Sequence, residues 1–283
     1  MNPSSPSPSS WRLDVRGLAL RVWELSPPGQ SGPPVICLHG WLDHGLAFQP
    51  MASGRPGRWL ALDQRGFGGS DPISAGAYPH FPDYLGDLDA LVRIVGGPVD
   101  LVGHAMGGTV AAMYAGARPE QVRRLVVLDG LGALHDSERS QLQRVRMFLD
   151  GVRRPPHPQR LASVADAARR LQQRHPGIGA EHARLLAEHG TIPVEGGVRW
   201  SFDPLHLTRA PYPFREDAFL EFLAAIRAPT LVVWAARSVY LPEEQRTRAG
   251  AIAGARVVTV DGGHMLPYEA PEVVGDLVAD HLS

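Results

Sequence analysis

Short apolar runs alternate with longer stretches of helical spacing along most of the chain. Two segments rich in β-forming residues, WRLDVRG and LALRVWEL, come first. Runs rich in valine, leucine or isoleucine then occupy residues 35–38, 59–62, 99–102, 125–128, 230–234 and 256–260. Runs of this kind are typical of strands buried on both faces of a parallel sheet. Helical spacing separates them at residues 84–95, 107–117, 242–253 and 271–281. This order predicts an α/β fold with a doubly wound, mostly parallel sheet and helices on both faces.

The alternation stops between residues 131 and 214, where no run is typical of a buried strand. Helical patterns at residues 137–150, 158–174 and 180–190 precede a segment rich in proline and aromatic residues. Because a structureless loop of this length is uncommon in a compact domain, we predict a helical cap inserted between two strands. The predicted domains are a disordered tail at 1–10, a core formed by 11–130 and 215–283, and a cap at 131–214.

Composition narrows the classes of function. The chain has 283 residues, a formal net charge of −1 and no basic patch that would indicate nucleic-acid binding. No apolar run approaches the roughly 20 residues of a membrane helix, and the Pro- and Ser-rich start lacks the features of a secretory signal. We therefore expect a cytoplasmic protein that binds no membrane, as a monomer or homodimer. The single cysteine, Cys37, is expected to be a buried thiol, and the histidines show no metal-ligand spacing.

The segment VDLVGHAMGGTVA combines a predicted strand, a Gly-rich turn and the start of a helix. Gly103 and Gly107 lie two residues on either side of Ala105, and small residues there let a strand and a helix approach closely around a strained turn. Such a turn presents a nucleophile, normally serine, at the tip of a strand. Alanine has no reactive atom, and taken alone the pattern also fits a plain strand–helix junction.

Two residues later in the chain fit the partners of such a nucleophile. His264 follows the last predicted strand in a Gly-rich loop, from which it can act as a general base. Asp129 ends the strand after the elbow helix, where a histidine N–H would satisfy a buried carboxylate. The alternatives are an exposed loop histidine and a turn aspartate. The turn after the strand at 230–234 offers no carboxylate at its tip, and Glu243 and Glu244 fall at a predicted helix start.

An oxyanion hole requires two backbone N–H donors. Met106 follows the elbow position, so its N–H is expected to point into the space above the turn. The loop after the strand at 35–38 reads His39-Gly40-Trp41, and we expect the N–H of Trp41 to be the second donor. His39 is expected to stabilise this loop, and the indole of Trp41 either lines the pocket or packs.

These motifs resemble those of the α/β-hydrolase fold superfamily. HGWLDHGLAF is similar to the HGWLDN loop of its serine-hydrolase-like group, LDQRGFGGSD resembles a turn found across the superfamily, and VLDGLGAL resembles the post-elbow strand of the group. The likeness covers residues 12–283. It implies a cap that shapes an acyl or alcohol pocket, and a Ser-His-Asp triad that cleaves a carboxylic ester or lactone without a metal or organic cofactor. It also supports Asp129 as the acid, because an acid at this strand is a known alternative in the fold.

Ala105 departs from the pattern of the family, and three explanations remain open. It can be a substitution introduced to inactivate the enzyme, the mark of a natural ligand-binding protein without catalysis, or part of an altered mechanism in which His264 activates water. The intact His264, Asp129 and HGW loop favour the first. An epoxide hydrolase or haloalkane dehalogenase that has lost an aspartate nucleophile is a further alternative, which Met106 and the HGWL loop disfavour.

The predicted cap leaves the substrate open. Its arginines permit either an apolar acyl chain or an anionic head group, and they are Arg144, Arg146, Arg153 and Arg154. Candidates for pocket lining in or near the cap are His135, Trp200, His206, Tyr212 and Phe214.

Overall fold

The computed structural model describes residues 8–74, 76–134 and 140–283. The strands are β1 (Ser9–Val15), β2 (Leu18–Glu24), β3 (Pro34–Leu38), β4 (Arg58–Leu62), β5 (Val99–His104), β6 (Val122–Leu128), β7 (Arg160–Leu161), β8 (Thr191–Val194), β9 (Gly197–Trp200), β10 (Thr230–Arg237) and β11 (Arg256–Gly263). The α-helices are α1 (Gln49–Ala52), α2 (Phe81–Val95), α3 (Met106–Ala117), α4 (Gln141–Arg153), α5 (Val164–Arg174), α6 (Ala180–Gly190), α7 (Glu216–Ala225), α8 (Pro242–Gly250), α9 (Leu266–Glu269) and α10 (Pro271–Leu282).

The main sheet has eight strands in the order β1-β2-β4-β3-β5-β6-β10-β11. Strands from β4 to β11 in this order pair in parallel, whereas β1 and β2 add an antiparallel edge. Every residue of β3 and β5 is buried, as their runs rich in valine, leucine and isoleucine predict. The mostly parallel sheet of the predicted fold class is therefore confirmed. The carboxyl ends of β3, β5, β6 and β11 lie at one edge, and the loops that follow them meet there.

Helices cover both faces of the main sheet, as expected for a doubly wound fold. One buried apolar cluster joins Leu88 of α2 and Val110 of α3 to Leu223 of α7. A second cluster on the other face joins Met51 of α1 to Val274 of α10. Two small layers of helices thus enclose the parallel strands and exclude water from them.

The first strand begins inside the predicted N-terminal tail. Ser9 pairs with Glu24 and Ser10 with Trp23 in the antiparallel register of β1 and β2. Pairing with β2 thus extends the strand into serines, although serine is not a strong strand former. The expectation of disorder is corrected for these two residues, and residues 1–7 of the predicted tail lie outside the described residues.

The segment predicted as a helical cap contains α4, α5 and α6, but it also holds a sheet that the sequence analysis did not predict. β7, β9 and β8 form a three-stranded antiparallel sheet in that order. Because Arg160–Leu161 pairs with β9, α5 begins later than predicted, at Val164. Ser163 caps this helix by accepting the N–H of Asp166 at 3.2 Å. The helix predicted for 137–150 begins at Gln141 and extends to Arg153, and its predicted first residues, 137–139, lie outside the described residues.

Within the described ranges, no helix is both long enough and apolar enough to cross a membrane.

Candidate active site

Ala105 forms a strained turn between β5 and α3. Its φ is 49° and its ψ is −118°, a backbone conformation that residues with a side chain seldom adopt. Its N–H donates to Leu128 O at 3.1 Å, and its carbonyl accepts from Gly108 N at 3.0 Å. Residues held this way cost on the order of 1–3 kcal/mol and persist where the surrounding structure enforces them. The chain therefore keeps the geometry of a nucleophile elbow around a methyl group.

The glycines on either side of Ala105 are required by close packing. A Cβ on Gly103 would lie 2.4 Å from Gly107 O, and a Cβ on Gly107 would lie 2.0 Å from Leu38 O. Both neighbours are backbone atoms that no rotamer change can move. Small residues at these positions thus let β5, α3 and the loop after β3 meet at one point, for the steric reason that the sequence analysis gave.

The HGW loop lies directly against the elbow. A Cβ on Gly40 would lie 3.2 Å from the Cβ of Ala105 and 3.1 Å from His104 Nδ1. The loop therefore runs beside residue 105, where an oxyanion donor is needed. Met106 is the first residue of α3, and N–H groups in the first turn of a helix have no intrahelical acceptor. The structure thus brings Gly40 and Met106 together around Ala105.

His39 stabilises the HGW loop through hydrogen bonds. The N–H of Gln64 donates to His39 Nε2 at 3.0 Å, so the ring carries its proton on Nδ1 and donates it to Gly40 O at 2.8 Å. Gln64 Nε2 also donates to His39 O at 2.8 Å. Burial lowers the pKa of His39 to about 4, so the ring is neutral near pH 7. These contacts agree with the expectation that His39 stabilises the loop.

Asp129 and His264 form a hydrogen-bonded pair. The Nδ1 of His264 lies 2.7 Å from Asp129 Oδ2, and Asp129 Oδ1 accepts the N–H of Ala235 at 3.1 Å. Asp129 is fully buried, whereas the side chain of His264 is 22% exposed. A carboxylate only accepts hydrogen bonds, so it fixes the proton on Nδ1 and leaves Nε2 of His264 free to accept another.

The same edge of the sheet holds the aspartate close to the elbow. Asp129 follows β6 with a φ of 40°, and the next residue, Gly130, packs tightly on Ala105. A Cβ on Gly130 would lie 2.3 Å from Ala105 N. Ala105, Asp129 and His264 therefore belong to one cluster of contacts, although they come from distant parts of the chain.

His104 contacts the loop of His264 from behind the elbow. Its Nε2 donates to His264 O at 2.8 Å, and the two rings lie 5.1 Å apart between centroids. Burial, with a smaller contribution from the charge of His264, lowers the pKa of His104 to about 3. The ring is thus neutral and donates from Nε2.

Two further contacts around the site lack any signal in the sequence. The hydroxyl of Tyr268 donates to Asp43 Oδ2, which links the segment after the HGW loop to α9. Burial raises the pKa of Tyr268 well above its usual value, so the hydroxyl remains a donor. Glu269 accepts the N–H of Gly263 at 2.7 Å, directly before His264. Both loops of the site are therefore tied to α9.

A cavity of about 440 Å³ lies between the HGW loop and the inserted segment. The indole N–H of Trp41 donates to His206 O at 3.2 Å, so the ring both lines the cavity and anchors it. The lining residues are Trp41, Arg144, Met147, His206, Leu207, Thr208, Arg209 and Ala210. Of the residues predicted to line the pocket, His206 lines this cavity, whereas Trp200, Tyr212 and Phe214 do not. His135 lies outside the described residues.

Metal-ligand geometry is not found in the part of the chain that the structure describes. No group of three or more His, Cys, Asp or Glu side chains there could hold a metal ion. Cys37 is a buried thiol in β3, and burial raises its pKa far above its usual value.

Comparison with known proteins identifies the family. The sequence profile described as "alpha/beta hydrolase fold" matches residues 33–271. This chain belongs to the α/β-hydrolase fold family. A serine hydrolase-like protein from Danio rerio is 27% identical over 97% of this chain and 88% of its own length. Lipase LipV from Mycobacterium tuberculosis is 29% identical over 90% of this chain and 95% of its own length.

Solved structures of the α/β-hydrolase family agree with this fold. The thioesterase domain from the curacin biosynthetic pathway superposes with a TM-score of 0.86 at 28% identity. The match covers 96% of this chain and 99% of that domain. The superfamily and the fold class predicted from the sequence are therefore both confirmed.

Proposed function

We propose that this α/β-hydrolase is the framework of a serine hydrolase that cleaves carboxylic esters or lactones, and that Ala105 holds it in an inactive state. The observation that carries the proposal is the 2.7 Å contact of His264 Nδ1 with the buried Asp129, beside an elbow whose strained φ is retained. A histidine that acts as a general base in a triad needs this contact to fix its tautomer and orientation, whereas a histidine that only packs in the fold does not. The lipase and thioesterase among the similar proteins support acyl transfer as the class of reaction.

In the serine form, the hydroxyl of residue 105 attacks the carbonyl carbon of the ester. Nε2 of His264 takes the hydroxyl proton and later gives it to the leaving alcohol, while Asp129 keeps the imidazole oriented. The N–H groups of Met106 and Trp41 stabilise the oxyanion, and losing one such donor typically costs roughly 10²–10³ in rate. Water then enters, His264 removes its proton, and the acyl-enzyme is hydrolysed.

Ala105 removes the atom on which this sequence of steps depends. Loss of the nucleophile of a triad reduces kcat by about 10⁶ and leaves only the contribution of binding and the oxyanion hole. The chain with Ala105 therefore binds an ester without measurable turnover. The second candidate function is a ligand-binding protein of hydrolase fold. It is favoured because Ala105, which is 7% exposed, leaves the rest of the site intact.

The test is a pair of substitutions at one position. Ala105→Ser is expected to hydrolyse p-nitrophenyl butyrate at least a thousandfold faster than the parent chain, while Ala105→Asp restores only the nucleophile of an epoxide hydrolase or dehalogenase. No gain with serine would reject the proposal, and epoxide or haloalkane turnover with aspartate would move the chain to that class. Tight ligand binding combined with no turnover in either variant would favour the ligand-binding protein.

A further inference from the structure

We propose that the cavity beside Trp41 binds a negatively charged arm of the substrate, and that Arg209 selects it. The inference rests on the proposed function only for the position of the scissile ester at residue 105, and Trp41 is the residue of the HGW loop that lines the cavity. The substrate class is then an ester with an apolar body and an anionic group some distance from the carbonyl.

The position of the cavity connects it to the candidate active site. Trp41 belongs to the loop whose glycine packs on Ala105, and its indole forms part of the cavity wall. The other lining residues come from α4, from the short helix Pro204–Leu207 and from the three residues that follow it. Gln141 Nε2 donates to Pro211 O at 2.7 Å, and Thr208 packs on Gly151, so α4 lies along these residues. A volume of about 440 Å³ falls in the usual range for small-molecule sites.

Among the described residues that line the cavity, the charged side chains are both arginines, and none is an aspartate or glutamate. Arg144 already has an interaction partner, so Arg209 carries the argument. Burial lowers the pKa of His206 to about 4, so this third basic residue is neutral near pH 7. Within the described ranges, Arg209 forms no ion pair or hydrogen bond, whereas Arg16, Arg58 and Arg65 are each paired with a carboxylate. Its guanidinium is therefore available to an anionic ligand.

The hydroxyl of Thr208 is a second polar group of interest at the cavity. The hydroxyl of Thr208 is buried and has no hydrogen-bond partner among the described residues. A buried hydroxyl without a partner costs free energy, and Thr208 is one of the residues that line the cavity. Arg209 follows Thr208 in the chain. The cavity wall thus combines a cation and a hydroxyl with the apolar side chains of Trp41, Met147 and Leu207. This combination matches a carboxylate on an apolar arm better than a purely apolar acyl chain.

Two esters that differ only in one charge test the inference: mono-p-nitrophenyl glutarate and its neutral methyl ester. Calorimetric titration of the Ala105 chain is expected to show at least threefold tighter binding of the anionic ester at low salt. Arg209→Gln should lower its affinity by about three- to fivefold, which is the range of an exposed ion pair, and leave the neutral ester within twofold. Arg209→Glu should lower it further. Arg227→Gln is the matched control, because Arg227 is an exposed arginine before β10, at the opposite edge of the sheet.

The outcomes separate the two proposals. Equal binding of both esters, or an unchanged preference in Arg209→Gln, overturns the charged-arm site even if Ala105→Ser is an active esterase. A preference lost in Arg209→Gln and kept in Arg227→Gln supports the site, even if Ala105→Ser is inactive and the proposed hydrolysis fails. In an active Ala105→Ser chain, the same ratio should appear in kcat/KM for the two esters.

Discussion

Asp129→Asn, made in the Ala105→Ser chain, should abolish most of the activity without unfolding the protein. The asparagine side chain offers one acceptor oxygen and one NH₂ donor. Ala235 N–H lies 3.1 Å from Asp129 Oδ1 and needs the acceptor, so the NH₂ group must face His264. Nδ1 of His264 then accepts instead of donating, and its proton moves to Nε2. A protonated Nε2 on a neutral ring cannot take the proton of the serine hydroxyl introduced at position 105.

The magnitude follows from this change of tautomer. Loss of the correct tautomer reduces kcat by about 10⁴ in a triad of this kind, which corresponds to about 5 kcal/mol at 1.36 kcal/mol per tenfold. The substitution keeps the size and both hydrogen-bonding positions, so we expect the melting temperature to change by less than about 4 °C, equivalent to ~1 kcal/mol. Activity and stability should thus separate clearly.

The assay is steady-state hydrolysis of p-nitrophenyl butyrate together with thermal unfolding followed by circular dichroism. Glu243→Gln is the control, because Glu243 lies in the first turn of α8 and is a carboxylate in the other region from which an acid could come. It should leave kcat within twofold. An Asp129→Asn chain that retains more than a tenth of the activity, or a Glu243→Gln chain that loses it, would refute the assignment of the acid.

Further predictions concern stability and its pH dependence. Gly107→Ala should strongly destabilise the chain, because its methyl would lie 2.0 Å from Leu38 O. Gly86→Ala, on the exposed face of α2, should stabilise it by about 1 kcal/mol, and equal melting temperatures of the two variants would contradict this. Acid should also destabilise the fold: three buried histidines with lowered pKa values stay neutral when folded, while the unfolded chain binds protons below pH ~6.5. Their contribution to the free energy of unfolding is complete above that pH and falls by about 1.4 kcal/mol per histidine and pH unit towards pH ~4. The free energy of unfolding measured in urea should therefore be clearly lower at pH 5 than at pH 7, and nearly the same at pH 7 and pH 8. These histidines are His39, His104 and His206.

The sequence predicts the parts of this molecule in which one physical requirement dominates. β3 is buried on both faces and appears as a continuous apolar run, and the first four residues of β5 are apolar except for Asp100. The carboxyl ends of parallel strands share one edge, which is why Asp129 and His264 could be expected near each other from chain order alone. The contact between them is found in the structure, and its catalytic role stays a prediction.

Other features depend on tertiary contacts that leave no pattern along the chain. β7, β8 and β9 have two to four residues, of which only Leu161 and Thr191 are buried, so neither alternation nor a continuous apolar run marks these strands. The bond from His104 to His264 O joins residues 160 apart, and the Asp43–Tyr268 contact joins residues 225 apart. The bonding partners of these residues are fixed only when the loops meet at the sheet edge, so the sequence does not specify these particular contacts.

The most direct measurement is covalent labelling of the Ala105→Ser chain with a fluorophosphonate, read by intact mass and peptide mapping. Our account predicts stoichiometric labelling at residue 105, loss of most of that labelling in the Asp129→Asn background, and no adduct on the parent chain. If a folded Ala105→Ser chain remains unlabelled, or if the adduct lies on another residue, the edge of the sheet does not hold a functional triad.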